Sequence, residues 1–414
     1  MNTINPLLNI NSNFWEFIRT HKNDNPSVLS LSIKKERYDF DTDFALTQID
    51  CRKRYCDKLN NFLEFDEFIF PDKISGEQSS HQAVAHYHSS LIEPDMNILD
   101  MTAGLGIDSM SLAQKAREIT SIELNNLKSE TLEYNAWLLG LKNINVIKTD
   151  SVAFLSQTDR FYDIIFIDPS RRDSDMKRVY NLKNCLPDVV NLQEILYKKG
   201  KRILIKASPL IDLTQTIKDF SYISSVYAIG VKGECKEILI ELDKDSYHQN
   251  LERGTMPVFA VDLDKNGNII NSFSDIIHIS GNTSPDEIKF ATMEDIKEGN
   301  YLMEPSAMMM KLATWNTICK RYNAKKLGKS SHLFITEEEP VGFPGRVTRL
   351  EKILKKQDRK NLSGNPVNVV SRNHPLSAET IRSQLRLKEG ESMFIYASKL
   401  GDKPIMLLSH LSKN

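Results

Sequence analysis

The sequence predicts an α/β protein whose central domain is a doubly wound, mostly parallel sheet, preceded by a helical region and followed by small α+β domains. From Met96 to about Leu242 there are seven apolar strand patterns, the first six separated by helical patterns: NILD, EITSIEL, INVIKTD, DIIFID, RILIKA, SSVYAIG and CKEILIEL. Such alternation is typical of a parallel sheet wrapped by helices. Only VKGE separates the last two, so we expect an antiparallel hairpin at the end of the sheet.

Length and composition set the class of protein. A chain of 414 residues is long enough for two to four domains, and we expect them at residues 1–95, 96–245, 250–330 and 331–414. No apolar run approaches the roughly 20 residues of a membrane span. The amino terminus lacks a secretory pattern, and the five cysteines are too scattered for a disulfide framework. We therefore expect a cytoplasmic protein without a membrane segment.

The first region is predicted to be helical, because apolar residues recur at intervals of three and four from Phe14 to about residue 91. Three histidines lie close together near its end: His81, His86 and His88. No carboxylate stands at helical spacing from them, so we expect solvated or hydrogen-bonded histidines and no metal site.

The stretch NILDMTAGLGID indicates a ligand site. Its strand ends in Asp100 and passes into a turn that holds Gly104 and Gly106. Doubly wound proteins bring backbone close to a nucleotide-like ligand in this way. Ser109 replaces the third glycine of the dinucleotide fingerprint, and the acid would repel a pyrophosphate, which disfavours a nicotinamide-dependent oxidoreductase. The turn suits a ligand with a cationic or hydroxylated end, such as S-adenosylmethionine (SAM).

Three further acids stand at the carboxyl ends of predicted strands. Glu123 can accept hydrogen bonds from both hydroxyls of a ribose, and Asp150 is placed to accept one from an adenine amine. Each acid could instead cap the following helix. Four acids in this order, with Asp168 after the fourth strand, favour a SAM site.

Asp168, Pro169 and Ser170 could act on the group that receives a methyl. A base amine is a poor nucleophile because its lone pair is delocalised into the ring. The Asp168 carboxylate and the Pro169 carbonyl could accept its two N–H protons and favour the reactive form. We therefore expect Asp168, Pro169 and Ser170 to be catalytic.

Basic residues near these positions are candidate substrate contacts. Arg171 and Arg172 could grip a phosphate or pair with nearby acids. Lys206 ends the next strand, where it could face the ligand or form a structural ion pair.

The residues after 250 predict two small α+β segments. PVFAVDLDKNGNIINSF is typical of a hairpin around Asn266-Gly267. The stretch from SPDEIKF to KRYNA is predicted to be helical, with Met308, Met309 and Met310 in the helix core, and HLFITEE a strand.

The last segment carries a basic patch in a chain of net charge −1. Residues 346–388 hold eleven Lys or Arg against three Asp or Glu, and RVTRLEKILKKQDRK could form one basic amphipathic helix. A strand, a loop, a helix and a strand should follow. Such a run can be a solvated face, but one-sided clustering favours phosphate binding, with Arg372 and Arg382 as candidate contacts.

The motifs DMTAGLGID, SIEL, KTD and IDPSRRD resemble those of bacterial class I SAM-dependent methyltransferases. EQSSHQAVAHYHSSL, KASPLIDL, GECKEILIEL, YLMEPSAMMMK and NHPLSAETIRSQLRLKEGESMFIYA extend the resemblance to a family with an N-terminal helical region, a Rossmann-like methyltransferase core, a ferredoxin-like domain and a C-terminal THUMP-like domain. The resemblance implies that residues 250–330 are ferredoxin-like, that residues 331–414 are THUMP-like, and that RNA is the substrate. The cofactor-binding set in the core would be Asp100, Thr102, Ala103, Gly104, Gly106, Glu123, Asp150 and Ser151.

One motif departs from the pattern of amine-directed enzymes. They usually carry Asp or Asn, two prolines and an aromatic ring that stacks on a flipped base. Here Ser170 and Arg171 follow Pro169, so stacking would come from elsewhere, for example from Tyr180 or Tyr87.

The sequence therefore predicts a SAM-dependent methyltransferase that modifies a base of structured RNA, ribosomal or transfer, at an exocyclic amine. Two alternatives stay open. One is a methyltransferase for proteins or small molecules, and the other is an RNA-binding protein without catalysis.

Overall fold

The computed structural model describes residue 7 and residues 10–33, 37–170, 181–278, 288–355, 357–390 and 392–412. The chain divides into two compact units. Unit 1 comprises Met1–Met256 and Val261–Ile270, and unit 2 comprises Pro257–Ala260 and Asn271–Asn414.

Unit 1 begins with the predicted helical region, which is confirmed. Asn11 accepts a hydrogen bond from the Phe14 amide and Asp41 accepts one from the Phe44 amide, so each caps a helix whose apolar face is buried. The helices are α1 (Ser12–Thr20), α2 (Pro26–Ile33), α3 (Thr42–Tyr55), α4 (Lys73–Gln78) and α5 (Gln82–Ser90).

All seven predicted strands of the central sheet are present. They are β1 (Asn97–Asp100), β2 (Glu118–Ile122), β3 (Ile144–Ile147), β4 (Tyr162–Ile167), β5 (Gly200–Ala207), β6 (Ile223–Val231) and β7 (Glu234–Asp243). The helices between the first six are α6 (Ile107–Ala113), α7 (Asn126–Leu138), α8 (Ser151–Gln157), α9 (Gln193–Lys199) and α10 (Leu213–Asp219).

The strand order is β3-β2-β1-β4-β5-β7-β6. Strands β1 to β5 pair in parallel, and β7 is antiparallel to both β5 and β6, so the predicted hairpin is confirmed. The order reverses between β1 and β4, which is where ligands bind in open α/β sheets.

A helix and two further strands follow β7 in the chain: α11 (Lys244–Arg253), β8 (Thr255–Leu263) and β9 (Ile269–His278). Gly267 has φ +94° in the turn, which is the left-handed position of a three-residue hairpin loop between Asp264 and Asn268. The residues of these two strands are divided between the two units.

Unit 2 contains a seven-stranded sheet of order β11-β12-β10-β13-β16-β15-β14. Its elements are β10 (Tyr301–Pro305), α12 (Ala307–Leu312), α13 (Trp315–Arg321), β11 (Lys325–Lys326), β12 (Phe334–Thr336), β13 (Gly345–Ile353), β14 (Asn368–Ser371), α14 (Ala378–Leu385), β15 (Met393–Leu400) and β16 (Lys403–Leu411). The predicted strand in HLFITEE and the strand, loop, helix and strand of β14 to β15 are confirmed.

Two helix predictions in unit 2 are wrong. The segment Tyr301–Pro305 forms β10, which pairs antiparallel with β12 and β13 and buries all its side chains except the half-buried Tyr301. The basic segment forms β13, because Thr348 and Leu350 are buried and Arg349 between them is exposed, which is the two-residue period of a strand. The Met308 and Met309 side chains are buried in α12, as expected, whereas Met310 is only half-buried.

Candidate functional site

The turn after β1 is held by the Asp100 carboxylate. Its Oδ1 accepts a hydrogen bond from the Thr102 amide at 3.0 Å, and its Oδ2 accepts one from the Ser109 hydroxyl at 2.5 Å. The side chain is almost fully buried, and burial raises the pKa of Asp100 to about 7. Asp100 and Ser109 therefore fix the strand-to-helix turn from inside.

The two glycines of this turn serve different purposes. Gly106 has φ +83°, and a Cβ there would lie 2.0 Å from Cδ1 of Leu132 in α7, so packing requires its glycine. Gly104 has φ +56°, and a Cβ there would meet only the Thr102 carbonyl at 3.9 Å. Gly104 therefore leaves open space that a ligand can approach.

Glu123, directly after β2, accepts two backbone hydrogen bonds. Its Oε2 accepts from the Gly104 amide at 3.0 Å and its Oε1 from the Asn125 amide at 2.7 Å. A carboxylate has further lone pairs, so both oxygens can still accept from ribose hydroxyls. Leu124 beside it is 67% exposed and offers an apolar contact that sequence reasoning missed. An apolar residue directly after the acid is the signal that could have found it.

The remaining predicted cofactor residues connect neighbouring elements. Asp150 is exposed and accepts from the Ala153 amide at 2.8 Å, so it caps α8, whose first residue is Ser151. The Ala103 amide donates to the Ile122 carbonyl, and the Thr102 hydroxyl accepts from the Asp168 amide at 2.7 Å. Thr102 thus joins the ends of β1 and β4.

Asp168 lies at the end of β4 with its side chain 40% exposed. Its Oδ2 lies 2.6 Å from Nζ of Lys206. Pro169 is buried, and the exposed Ser170 pairs through its backbone with Leu186. Arg171, Arg172 and Tyr180 lie outside the described residues.

Lys206 joins Asp168 to a buried charge network. Its Nζ also donates to the Ser80 hydroxyl at 2.5 Å and to Oδ2 of Asp108 at 3.2 Å. His88 lies between two carboxylates, with Nδ1 2.9 Å from Asp108 Oδ1 and Nε2 2.6 Å from Glu237 Oε1. We call Ser80, His88, Asp108, Lys206 and Glu237 the buried network.

The charges of this network support one another. Burial alone would lower the pKa of His88, but Glu237 and Asp108 outweigh it and raise the pKa to about 9. Burial would likewise lower the pKa of Lys206, but Asp108, Asp168 and Glu237 hold it above its ordinary value. Burial would raise the pKa of Asp108, and Lys206 and His88 hold it below its ordinary range. Sequence reasoning missed this network, although a histidine among apolar residues of α5 and an acid in the apolar strand β7 were visible signals.

A cavity of about 420 Å³ lies against the end of β4. Asp168, Pro169, Lys206 and Glu237 line one part of it, and residues of the N-terminal helical region line another, among them Lys58, Ser80 and His81. Asp100, Glu123 and Asp150 do not line it. Tyr87, one candidate for base stacking, is buried and is not among the described residues at its wall.

His81 lines the cavity with a neutral imidazole ring. Its Nδ1 accepts from the Ala83 amide at 3.1 Å. Burial, with Lys236 and Lys58 nearby, lowers the pKa of His81 to about 4. The ring proton therefore sits on Nε2, which can donate to an acceptor atom of a ligand.

The two basic candidates in unit 2 are paired with acids. Arg372 and Arg346 each lie 2.8 Å from a different oxygen of the buried Glu304 carboxylate. Arg382 lies 3.1 Å from the exposed Glu389. Arg372 thus has a structural role beside any contact to a substrate.

The described residues lack two other kinds of site. They contain no group of three or more His, Cys, Asp or Glu arranged to hold a metal ion. Within the same residues no helix combines the length and apolar character needed to cross a membrane.

The sheet order, with the reversed β7, and the glycine turn after β1 define a Rossmann-like class I methyltransferase fold for unit 1. A solved structure of a candidate methyltransferase from Porphyromonas gingivalis W83 matches this chain with a TM-score of 0.81 and 25% identity, over 97% of this chain and 98% of that one. In unit 2, residues 301–344 match a ferredoxin-like domain family and residues 345–410 a THUMP domain-like family.

Curated relatives match the chain over shorter segments. An uncharacterized RNA methyltransferase of Mycoplasma mobile is 33% identical over 84 residues, which are 20% of this chain and 23% of that protein. Ribosomal RNA small subunit methyltransferase J of Coxiella burnetii is 29% identical over 133 residues, 28% of this chain and 52% of that protein. The chain therefore spans about a quarter of the first relative and about half of the second.

Proposed function

We propose that this protein is a SAM-dependent methyltransferase that modifies a base of structured RNA at an exocyclic amine. The observation that carries the proposal is the order of acids along the carboxyl edge of the sheet: Asp100 at the end of β1, Glu123 and Asp150 after β2 and β3, and Asp168 after β4. The first three form the cofactor half of the edge. The acceptor half consists of Asp168, Lys206 and Glu237, on or directly after β4, β5 and β7.

The residues of the cofactor half fit SAM. Gly104 leaves space for close approach, and two backbone amides hold the Glu123 carboxylate while its other lone pairs stay available to a ribose. Asp150 has a second oxygen besides the one that caps α8, so it can accept from an adenine amine. The cofactor half also includes the backbone of Ala103 and Gly106, in the turn after β1, and of Ser151, the first residue of α8.

The acceptor half fits an amine. Bound SAM supplies a methyl group whose S–C bonding electrons stay on sulfur while the amine lone pair forms the new N–C bond. Asp168 would accept a hydrogen bond from the amine and then its proton, and the carbonyl of Pro169 would accept from the second N–H. Ser170, the next residue, is exposed. Orientation of this kind supplies much of the rate in a displacement reaction.

An RNA acceptor is supported by two further facts. The THUMP domain-like match covers the segment with the one-sided basic charge, and two curated relatives are named RNA methyltransferases. We propose that Arg382 and the exposed basic residues near it contact RNA phosphates, with Arg372 at the border of this surface. Ribosomal and transfer RNA are the candidate substrates, and the cytoplasm is the corresponding location.

The test is transfer of tritium from methyl-labelled SAM to total RNA of a strain that lacks this gene, followed by mapping of the labelled nucleotide. We expect one labelled base with the methyl on an amine nitrogen, and no label with Asp168→Asn. Label on protein or on small molecules instead would favour the other methyltransferase class. SAM binding without label in any fraction would favour an RNA-binding protein without catalysis.

A further inference from the structure

We propose that Lys206 is the positioning residue of Asp168: it holds one carboxylate oxygen so that the other faces the methyl acceptor, and the buried network fixes Lys206 in turn. The inference rests on the proposed methyl transfer, and it assigns a task to five buried side chains that the cofactor half does not use.

The ammonium group of Lys206 has no free donor. Its three N–H bonds match three acceptors, namely Oδ2 of Asp168 at 2.6 Å, the Ser80 hydroxyl at 2.5 Å and Oδ2 of Asp108 at 3.2 Å. A direct contact from Lys206 to a substrate would break one of these bonds. Its place is therefore behind Asp168 and not on the substrate.

The other oxygen of Asp168 is available. Among the described residues, Oδ1 has no hydrogen-bond partner, and the side chain is 40% exposed beside the cavity. With Oδ2 pinned by Lys206 and its amide held by the Thr102 hydroxyl, the carboxylate has little rotational freedom. Oδ1 is thus the oxygen of Asp168 that Lys206 leaves for an acceptor entering the cavity.

A second layer keeps Lys206 in place. Both oxygens of Asp108 are occupied, Oδ1 by His88 and Oδ2 by Lys206 and the Ser80 hydroxyl. His88 faces a carboxylate oxygen through each ring nitrogen, and because such oxygens only accept, both nitrogens must carry protons. The ring of Phe166 covers His88 at a centroid distance of 5.3 Å.

The buried network and Asp168 together carry an excess of negative charge, which lies at Asp168. Three carboxylates, Asp108, Asp168 and Glu237, face two cations, so one negative charge is left over. Asp108 and Glu237 are buried among the cations, whereas Asp168 is the exposed member. Burying ions costs free energy compared with burying apolar side chains. What the protein gains from this arrangement is a preorganised carboxylate beside a reaction cavity.

The experiment compares wild type with Lys206→Gln and Lys206→Arg in the full chain. The RNA probe is total RNA from the strain without this gene, and SAM affinity is measured by calorimetry. We expect Lys206→Gln to bind SAM within about twofold of wild type and to transfer methyl about 100-fold more slowly at saturating SAM. The loss should lie in kcat and not in the KM for RNA, because Lys206 orients the carboxylate without touching the substrate. Lys206→Arg should recover part of the rate.

Two further variants separate positioning from folding. Lys201→Gln removes an exposed lysine from the same strand and should leave the rate unchanged. Ser80→Ala removes one acceptor of Lys206 but no charge, and we expect a rate about tenfold lower in a protein that still unfolds cooperatively, with a melting temperature lower by a few degrees because a buried donor loses its partner. Ser80→Ala decides the question if Lys206→Gln does not fold.

The outcomes distinguish this proposal from the function on which it rests. A wild type that labels no RNA overturns both. If wild type labels RNA and folded Lys206→Gln labels it at the same rate, the positioning role alone is overturned. Where Lys206→Gln does not fold, an unchanged rate in Ser80→Ala has the same meaning. A loss confined to SAM affinity, or to the KM for RNA, also contradicts it.

Discussion

The two halves of the sheet edge hold their acids in different ways. In the cofactor half, backbone amides hold Asp100, Glu123 and Asp150, and the two residues of each such hydrogen bond lie at most 19 apart in sequence. In the acceptor half, Lys206 holds Asp168 and is itself held by side chains up to 126 residues away. The first half depends on local backbone shape, and the second on burial of opposite charges. Substitutions should therefore affect the two halves through different quantities.

The largest effect on stability is expected at His88. His88→Gln leaves Asp108 and Glu237 without their shared cation, which should cost about 3 kcal/mol of unfolding free energy near neutral pH. His86→Gln, an exposed change on the same helix, should cost less than about 0.5 kcal/mol. Urea unfolding measures both.

The same pair tests the charge of His88. Its pKa is raised from 6.5 to about 9, so its stabilising effect is complete below pH 6.5 and is lost as the pH rises through 9. The stability gap between wild type and His88→Gln should therefore shrink over this range. A constant gap from pH 6 to 10 would show that His88 acts by packing alone.

The next effect tests the local backbone of the cofactor half. Gly106→Ala places a Cβ 2.0 Å from a Leu132 methyl and strains a residue at φ +83°, for a cost of about 3 kcal/mol. Gly140→Ala is the matched control, because Gly140 has φ +71° and no atom within 4 Å of the added Cβ. It should cost about 1 kcal/mol. If urea unfolding shows the same loss of unfolding free energy in both variants, the Leu132 side chain moves aside for the added Cβ.

A smaller effect is expected at the wall of the acceptor cavity. His81→Ser keeps a hydroxyl that can cap α5 but removes the Nε2 donor. Initial-rate kinetics should show a KM for RNA about tenfold higher with unchanged SAM affinity. Because the pKa of His81 is about 4, the wild-type KM should not vary with pH between 6 and 8 through this group. An unchanged KM in His81→Ser would remove His81 from acceptor recognition.

The smallest effect is expected in unit 2. Arg382→Ala should weaken RNA binding uniformly across sequences and lower the slope of log K against log salt by about 1. Arg253→Ala, an exposed arginine in unit 1, should leave the slope as it is. If both variants keep the wild-type slope, Arg382 makes no phosphate contact.

Sequence reasoning captured the parts of the molecule that local patterns determine. The seven strands, the hairpin of β6 and β7 and the turn from Asp100 to Gly106 followed from apolar periodicity and glycine placement. The buried network did not, because His88 and Glu237 are 149 residues apart and only the fold brings them together. In β13, the many basic residues obscured the alternating pattern of a strand whose buried positions are Thr348 and Leu350. The four domain boundaries and the roles of the site residues stay predictions.

The most direct test of the division between the two halves is calorimetric titration of SAM into wild type, Glu123→Gln and Asp168→Asn, with methyl transfer to RNA measured on the same preparations. Glu123→Gln should bind SAM at least about tenfold more weakly, because it loses a charged acceptor for the ribose. Asp168→Asn should bind SAM like wild type and transfer no methyl group. Equal loss of SAM affinity in both variants, or in neither, would contradict the division.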